Sequence, residues 1–181
     1  MECTGPGAAR RETLRGMTRR AHVLLVLAAL SVLACDRGSA PAATRHASEV
    51  VGHFALPDSA WRKRLAPESY NVLRHAGTET AFTGRYWNEH RKGIYRCAGC
   101  DLTLFSSAAK FESGTGWPSF RQPIAPDHVT NGPDASIDGY RVDIRCARCG
   151  GHLGHVFKDG PPPTGLRYCM NSAALAFTPA K

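Results

Sequence analysis

Seven cysteines carry most of the chemistry legible in this chain, and their spacing sorts them. Four fall in two C-x-x-C pairs, Cys97-Ala98-Gly99-Cys100 and Cys146-Ala147-Arg148-Cys149. Two intervening residues let both sulfurs of a pair face one point, at metal–sulfur distances of about 2.3 Å. Glycines beside the cysteines allow a sharp turn and leave N–H groups to aim at the sulfurs. Two such halves complete a tetrahedral four-thiolate shell, which suits zinc first and iron second. A closed shell has no position for a substrate, so the expected site is structural. It would staple hairpins whose cysteines, Cys100 and Cys146, are separated by 45 residues. The alternatives are a disulfide in each pair or one redox-active dithiol. No βαβ pattern surrounds either pair, which weighs against the dithiol.

Cys169 stands apart, in Arg167-Tyr168-Cys169-Met170-Asn171-Ser172, with no partner at metal spacing. A lone cysteine can be an inert packing residue. Arg167, two residues away, favours the thiolate, the reactive form, by charge attraction. His152 and His155, in Gly151-His152-Leu153-Gly154-His155-Val156-Phe157, are spaced to point one way along a strand or turn. They are either ordinary surface or core histidines or acid–base partners of a cysteine nucleophile.

The elements that must position these side chains show in the residue pattern. Ser59 can cap a short turn holding Trp61 and Leu65. Pro67-Glu68 suits the first turn of a second helix, with Tyr70, Leu73 and Ala76 near one face and Gly77 as its stop. From Gly93 onward, short apolar stretches alternate with Gly, Pro, Asn and Asp. Strands are predicted over Gly93–Arg96, Leu102–Phe105, Tyr140–Arg145, His155–Lys158 and Leu175–Phe177. No repeat is present. The expectation is one mainly β domain with helices at its front.

The chain has 181 residues, 43% hydrophobic and 21% charged, which is globular rather than disordered. The formal charge of +8 suggests nucleic-acid binding until it is divided along the sequence. Residues 1–34 hold five arginines and two glutamates, and the remainder has 18 basic and 13 acidic residues, a net of +5. Four thiolates around one divalent ion would lower that to about +3. So small a charge, with no basic run, excludes nucleic acid as an expected partner.

The front of the chain is an address rather than a fold. Arg19-Arg20 precede the apolar run Ala21–Ala34, which ends at Cys35. This is the layout of a secretory signal, and the run is too short for a ~30 Å hydrocarbon core. Residues 1–34 are therefore expected to be a signal peptide, with Met17 a candidate true start. Thr18-Arg19-Arg20 faintly suggests a twin-arginine signal. Leu33-Ala34-Cys35 resembles a bacterial lipoprotein signal, in which cleavage precedes acylation of the cysteine; simple cleavage is the alternative. Asp36 after the lipidated residue would then favour the inner membrane. Residues 35–57, including Ala40-Pro41-Ala42-Ala43-Thr44, are expected as the lipidated cysteine and a flexible linker. Residues 58–181 form the expected catalytic domain.

Three blocks narrow the reading: Gly116-Trp117-Pro118-Ser119-Phe120, Cys146 through Phe157, and Arg167 through Ser172. In order and content they resemble the peptide-methionine (R)-S-oxide reductases, the MsrB family. The similarity runs from about Asp58 to Thr178 and includes Trp61–Leu65 and Thr83-Gly84. The resemblance implies two antiparallel β-sheets with a zinc staple of Cys97, Cys100, Cys146 and Cys149. It implies that the Cys169 thiolate attacks the sulfoxide sulfur, that His155 protonates the departing oxygen, and that His152 and Asn171 orient water or substrate. Trp117 is implied as an aromatic wall for the sulfoxide methyl, with Phe157 and Arg167 also at the substrate. Methionine leaves, and Cys169 becomes a sulfenic acid.

Many family members carry a second cysteine just before the Gly-Trp-Pro block, where this chain has Thr115. A threonine cannot resolve a sulfenic acid. A one-cysteine reductase is therefore expected, reduced directly by an external thiol, thioredoxin-like or other. An unmodified Cys35 on its linker is the alternative resolver. The expected substrates are methionine-sulfoxide proteins or peptides, and the expected location is the periplasm, anchored to the inner membrane. The rival functions are a thiol–disulfide oxidoreductase using one C-x-x-C pair and a zinc-stabilised binding module.

Overall fold

The computed structural model describes residues 49–132 and 141–181. The expected signal peptide, Cys35, the stretch from Ala40 to Thr44 and Tyr140 lie outside the described residues.

Among the described residues two short helices come first. Helix α1 (Asp58–Arg64) starts after Pro57, with Asp58 in its first turn and Arg62, Lys63 and Arg64 in its last, the polarity the helix dipole favours. Ser59, expected as a cap, lies inside the helix, and no side chain caps it. Helix α2 (Pro67–His75) has its proline at the first position, where a missing N–H costs nothing. Its inward residues are Val72 and Leu73, whereas Ala76 is exposed. Ala76, not Gly77, takes the left-handed conformation that ends the helix, at φ 53°. Gly77 is needed for space instead, since a Cβ there would lie 2.3 Å from Asn71 Nδ2.

Among the described residues nine strands follow: β1 (Gly93–Cys97), β2 (Thr103–Ser106), β3 (Lys110–Phe111), β4 (Ser119–Phe120), β5 (Val129–Asn131), β6 (Arg141–Cys146), β7 (His152–Phe157), β8 (Arg167–Met170) and β9 (Leu175–Pro179). They form a three-stranded sheet, β2-β1-β9, and a six-stranded sheet, β3-β4-β8-β7-β6-β5. Every pairing is antiparallel. The fold is thus mainly β with short N-terminal helices, as the residue pattern indicated, and has the two antiparallel sheets that the resemblance implied.

Tyr95 and Phe105 from the smaller sheet meet Phe120 from the larger one. Phe105 and Phe120 stack at 4.5 Å and 16°, and Tyr95 meets Phe120 edge-on at 5.0 Å. All three are fully buried. Burial of rings this size contributes roughly 1.5–3 kcal/mol each, so this cluster joins the sheets.

The strand boundaries differ from expectation where periodicity is absent. The strand expected at His155–Lys158 starts at His152 and ends at Phe157. The run His-Leu-Gly-His does not alternate, because β7 is buried on both faces over its first half. Strand β8 was not anticipated, since Arg-Tyr-Cys-Met has no period-two pattern, and β3, β4 and β5 are too short to show one.

Candidate active site and metal centre

The two C-x-x-C turns meet. Cys97 ends β1, Cys146 ends β6, and Cys100 and Cys149 lie in the turns just beyond. All four Sγ atoms lie within 4.8 Å of one another. Cys97 to Cys149 is 3.7 Å and Cys100 to Cys146 is 3.5 Å. Four sulfurs ~2.3 Å from a common ion would lie ~3.8 Å apart, so the set fits a tetrahedral metal ion. A disulfide would need about 2.05 Å, and all four cysteines are free. Hydrogen bonds among the sulfurs, chiefly, push the Cys97 and Cys146 thiols up and hold those of Cys100 and Cys149 down. Four thiols packed this closely compete for protons, and a divalent cation can replace them.

Both helices and the segment before them pack on these turns. Arg64 donates to Gly99 O at 2.8 Å, and Arg74 donates to Cys149 O at 3.2 Å. Arg148 ties in the residues ahead of α1, donating to Val51 O at 2.6 Å and to the Glu49 carboxylate at 2.8 Å.

Cys169 is not part of that sulfur cluster. It sits on β8 directly opposite His155 of β7 on one side and Ser119 of β4 on the other. Strand alternation then places Arg167 and Cys169 of β8, with Phe157 and His155 of β7, on one sheet face. Gly154 makes this pairing possible. Its φ is 155°, and a Cβ there would lie 2.2 Å from the Cys169 carbonyl oxygen.

A cavity of about 190 Å³ opens over this face. Its lining includes Trp117, His155, Phe157, Cys169 and Asn171, together with Arg141 and Thr78. The structure therefore brings together five of the seven residues expected at the substrate or in catalysis. The other two adjoin them. Arg167 pairs through two nitrogens with the Asp159 carboxylate, at 2.9 and 2.8 Å, and lies 4.2 Å over the Phe157 ring. His152 is buried, its Nδ1 2.5 Å from Asp143 Oδ1 and its ring 5.2 Å from that of His155.

Burial pushes the Cys169 thiol up from its ordinary value, against hydrogen bonds from Thr115 and Ser119 and the charge of Arg167. Thr115 Oγ1 lies 3.8 Å from the sulfur, and Ser113 Oγ links Thr115 to Ser119 at 2.8 and 2.7 Å. The position before the Gly-Trp-Pro block thus offers Cys169 a hydroxyl and no second sulfur. Asp143, Asp159 and Glu79 escaped the sequence reading. Nothing local marks these acids, since each acts through a residue distant in sequence or across a strand.

The site thus sets a β-sheet cysteine facing an aromatic-walled cavity, with a histidine across the strand, apart from a four-thiol cradle that fits a metal ion. The family model for the SelR domain matches residues 65–179. The chain is 57% identical over 122 residues to a peptide methionine sulfoxide reductase MsrB of Agrobacterium fabrum, covering 67% of this chain and 90% of that one. Similar proteins of the same name occur in Thiobacillus denitrificans, 57% identical over 122 residues (67% and 92%), and Leptospira interrogans, 56% over 120 residues (66% and 92%). The chain belongs to the MsrB family of oxidoreductases acting on methionine sulfoxide.

Proposed function

We propose that this chain reduces methionine-R-sulfoxide in proteins and peptides, with Cys169 as nucleophile and an external thiol as reductant. The single observation that carries this reading is the pairing of Cys169 with His155 under the Trp117 wall, in a cavity separate from the sulfur cluster.

The sulfoxide's methyl group rests on Trp117 and Phe157, and its oxygen faces His155 and Asn171. The Cys169 sulfur attacks the sulfoxide sulfur. As the sulfur–oxygen bond of the substrate breaks, the oxygen passes to Cys169 and takes up a proton, with His155 as donor. The substrate sulfur gains two electrons, Cys169 loses two, and methionine departs from a sulfenic acid. One external thiol then forms a mixed disulfide with Cys169, releasing water. A second thiol frees Cys169 and leaves as the disulfide. Among the described residues, the only cysteines besides Cys169 are the four of the cluster, which supports an external reductant over an internal one.

The cluster itself is read as a structural zinc site, because four thiolates closing a tetrahedron leave no ligand position for substrate. Residues 1–35 support export and lipid anchoring at Cys35, and Asp36 supports the inner membrane as the location. Among the described residues no helix is long and apolar enough to cross a membrane.

The test is turnover of the separated R and S epimers of a methionine sulfoxide peptide with dithiothreitol, for wild type and Cys169→Ser. Wild type should reduce the R epimer alone, and Cys169→Ser neither. Equal use of both epimers, or an active serine variant, would contradict the reading.

A further inference from the structure

Glu79 does not line the cavity, although its neighbour Thr78 does. It is 5% exposed, and a carboxylate so buried must be met by donors. Two backbone N–H groups meet it, Ser172 at 2.6 Å and Ala173 at 2.9 Å. These open the 3₁₀ turn Ser172–Ala174, directly after Asn171.

The backbone of the same residue holds two cavity side chains. Its N–H donates to Asn171 Oδ1 at 3.0 Å, and its carbonyl accepts the Trp117 indole N–H at 3.2 Å. Asn171 Nδ2 donates in turn to Leu153 O at 3.1 Å, so its amide is fixed at both ends. Phe82, three residues on, binds Gly116 O beside Trp117 at 2.9 Å. Gly84 leaves space for the carboxylate: a Cβ there would lie 2.4 Å from both Glu79 Oε1 and Ser172 Oγ.

We infer that Glu79 is a positioning residue for sulfoxide reduction, its carboxylate anchoring residues 78–84 so that Trp117 and Asn171 face the methyl and the oxygen of the sulfoxide. The inference rests on the reading given under Proposed function. Small displacements in such a site cost much, since a misplacement of about 1 Å can lower rates on the order of a hundredfold.

The test uses the full chain, dithiothreitol, and one peptide carrying either methionine-R-sulfoxide or its S-ethyl homologue. Glu79→Gln replaces an acceptor oxygen with an amide NH₂ facing a backbone N–H. Gly84→Ala keeps the carboxylate but pushes on it. Both variants should lower kcat/KM for the methyl substrate by roughly tenfold or more, with a weaker preference for methyl over ethyl. Cys169 should alkylate at the wild-type rate in both. The Trp117 indole N–H resonance, identified by its loss in Trp117→Phe, should shift and exchange faster.

The inference is overturned if both variants keep the methyl preference and the indole signal, losing activity only in proportion to alkylatable Cys169. Should Glu79→Gln not fold, Gly84→Ala decides by the same readouts. A wild-type protein inactive on both epimers overturns the underlying reading, and this inference with it.

Discussion

At the residue scale, Cys169 presents a tension between burial and reactivity. Burial favours the neutral thiol, while Thr115, Arg167 and Ser119 favour the thiolate, and burial is the largest single influence. The free enzyme should therefore hold mostly thiol at neutral pH. Alkylation of Cys169 by iodoacetamide should reach half its maximum at a higher pH than for an ordinary cysteine thiol, because burial disfavours the thiolate. Removing the guanidinium charge in Arg167→Gln should move that midpoint higher still; a midpoint near or below neutrality would show a preformed thiolate instead. Thr115 gives a second expectation. Its Oγ1 is 3.8 Å from the Cys169 sulfur, so Thr115→Cys brings a thiol within a short side-chain movement of the sulfenic acid. After one turnover that variant should carry a disulfide between the introduced thiol and Cys169, whereas wild type should not, as peptide mapping would report.

At the scale of elements, β7 and β8 are the pair on which the site depends, because their register sets Cys169 against His155. Gly154→Ala would force a Cβ to within 2.2 Å of the Cys169 carbonyl, so the strands must part there. Turnover should fall by at least about a hundredfold even where the folded protein is recovered. Phe120→Ala, which removes the ring linking the two sheets, should cost roughly 3–5 kcal/mol in denaturant unfolding. Much of this was legible beforehand. The C-x-x-C pairs revealed the sulfur cluster because ligand spacing is local, and Arg141-Val142-Asp143-Ile144-Arg145 revealed a strand because it alternates. The strand carrying Cys169 gave no such signal: β8 is short, and its four residues are part-buried, part-buried, part-buried and buried. The acids that orient the site were equally silent. Asp143 meets His152 across a hairpin and Glu79 meets Ser172 across 93 residues, and such partners emerge only from tertiary packing.

At the scale of the whole molecule, the sulfur cluster holds the end of β1 to the end of β6, and so ties the small sheet to the large one. One zinc per chain is expected by elemental analysis. Because such binding energy is also folding energy, metal loss in Cys100→Ser should lower Tm by at least about 10 °C. An unchanged Tm would remove the structural role. The proposed lipid anchor at Cys35 would bear on where the molecule sits rather than on its chemistry. If it is the lipid anchor, Cys35→Ser should move the protein from the membrane to the soluble fraction without changing its dithiothreitol-driven activity. A disulfide between Cys35 and Cys169 after one turnover without reductant would instead mark Cys35 as a resolving thiol. The most direct measurement is mass-spectrometric mapping of the wild-type protein after one turnover with methionine-R-sulfoxide and dimedone, in the absence of reductant. The expected result is a single dimedone adduct at Cys169, with the four clustered cysteines unmodified. An adduct or disulfide within the cluster, with Cys169 left as a free thiol, would contradict it.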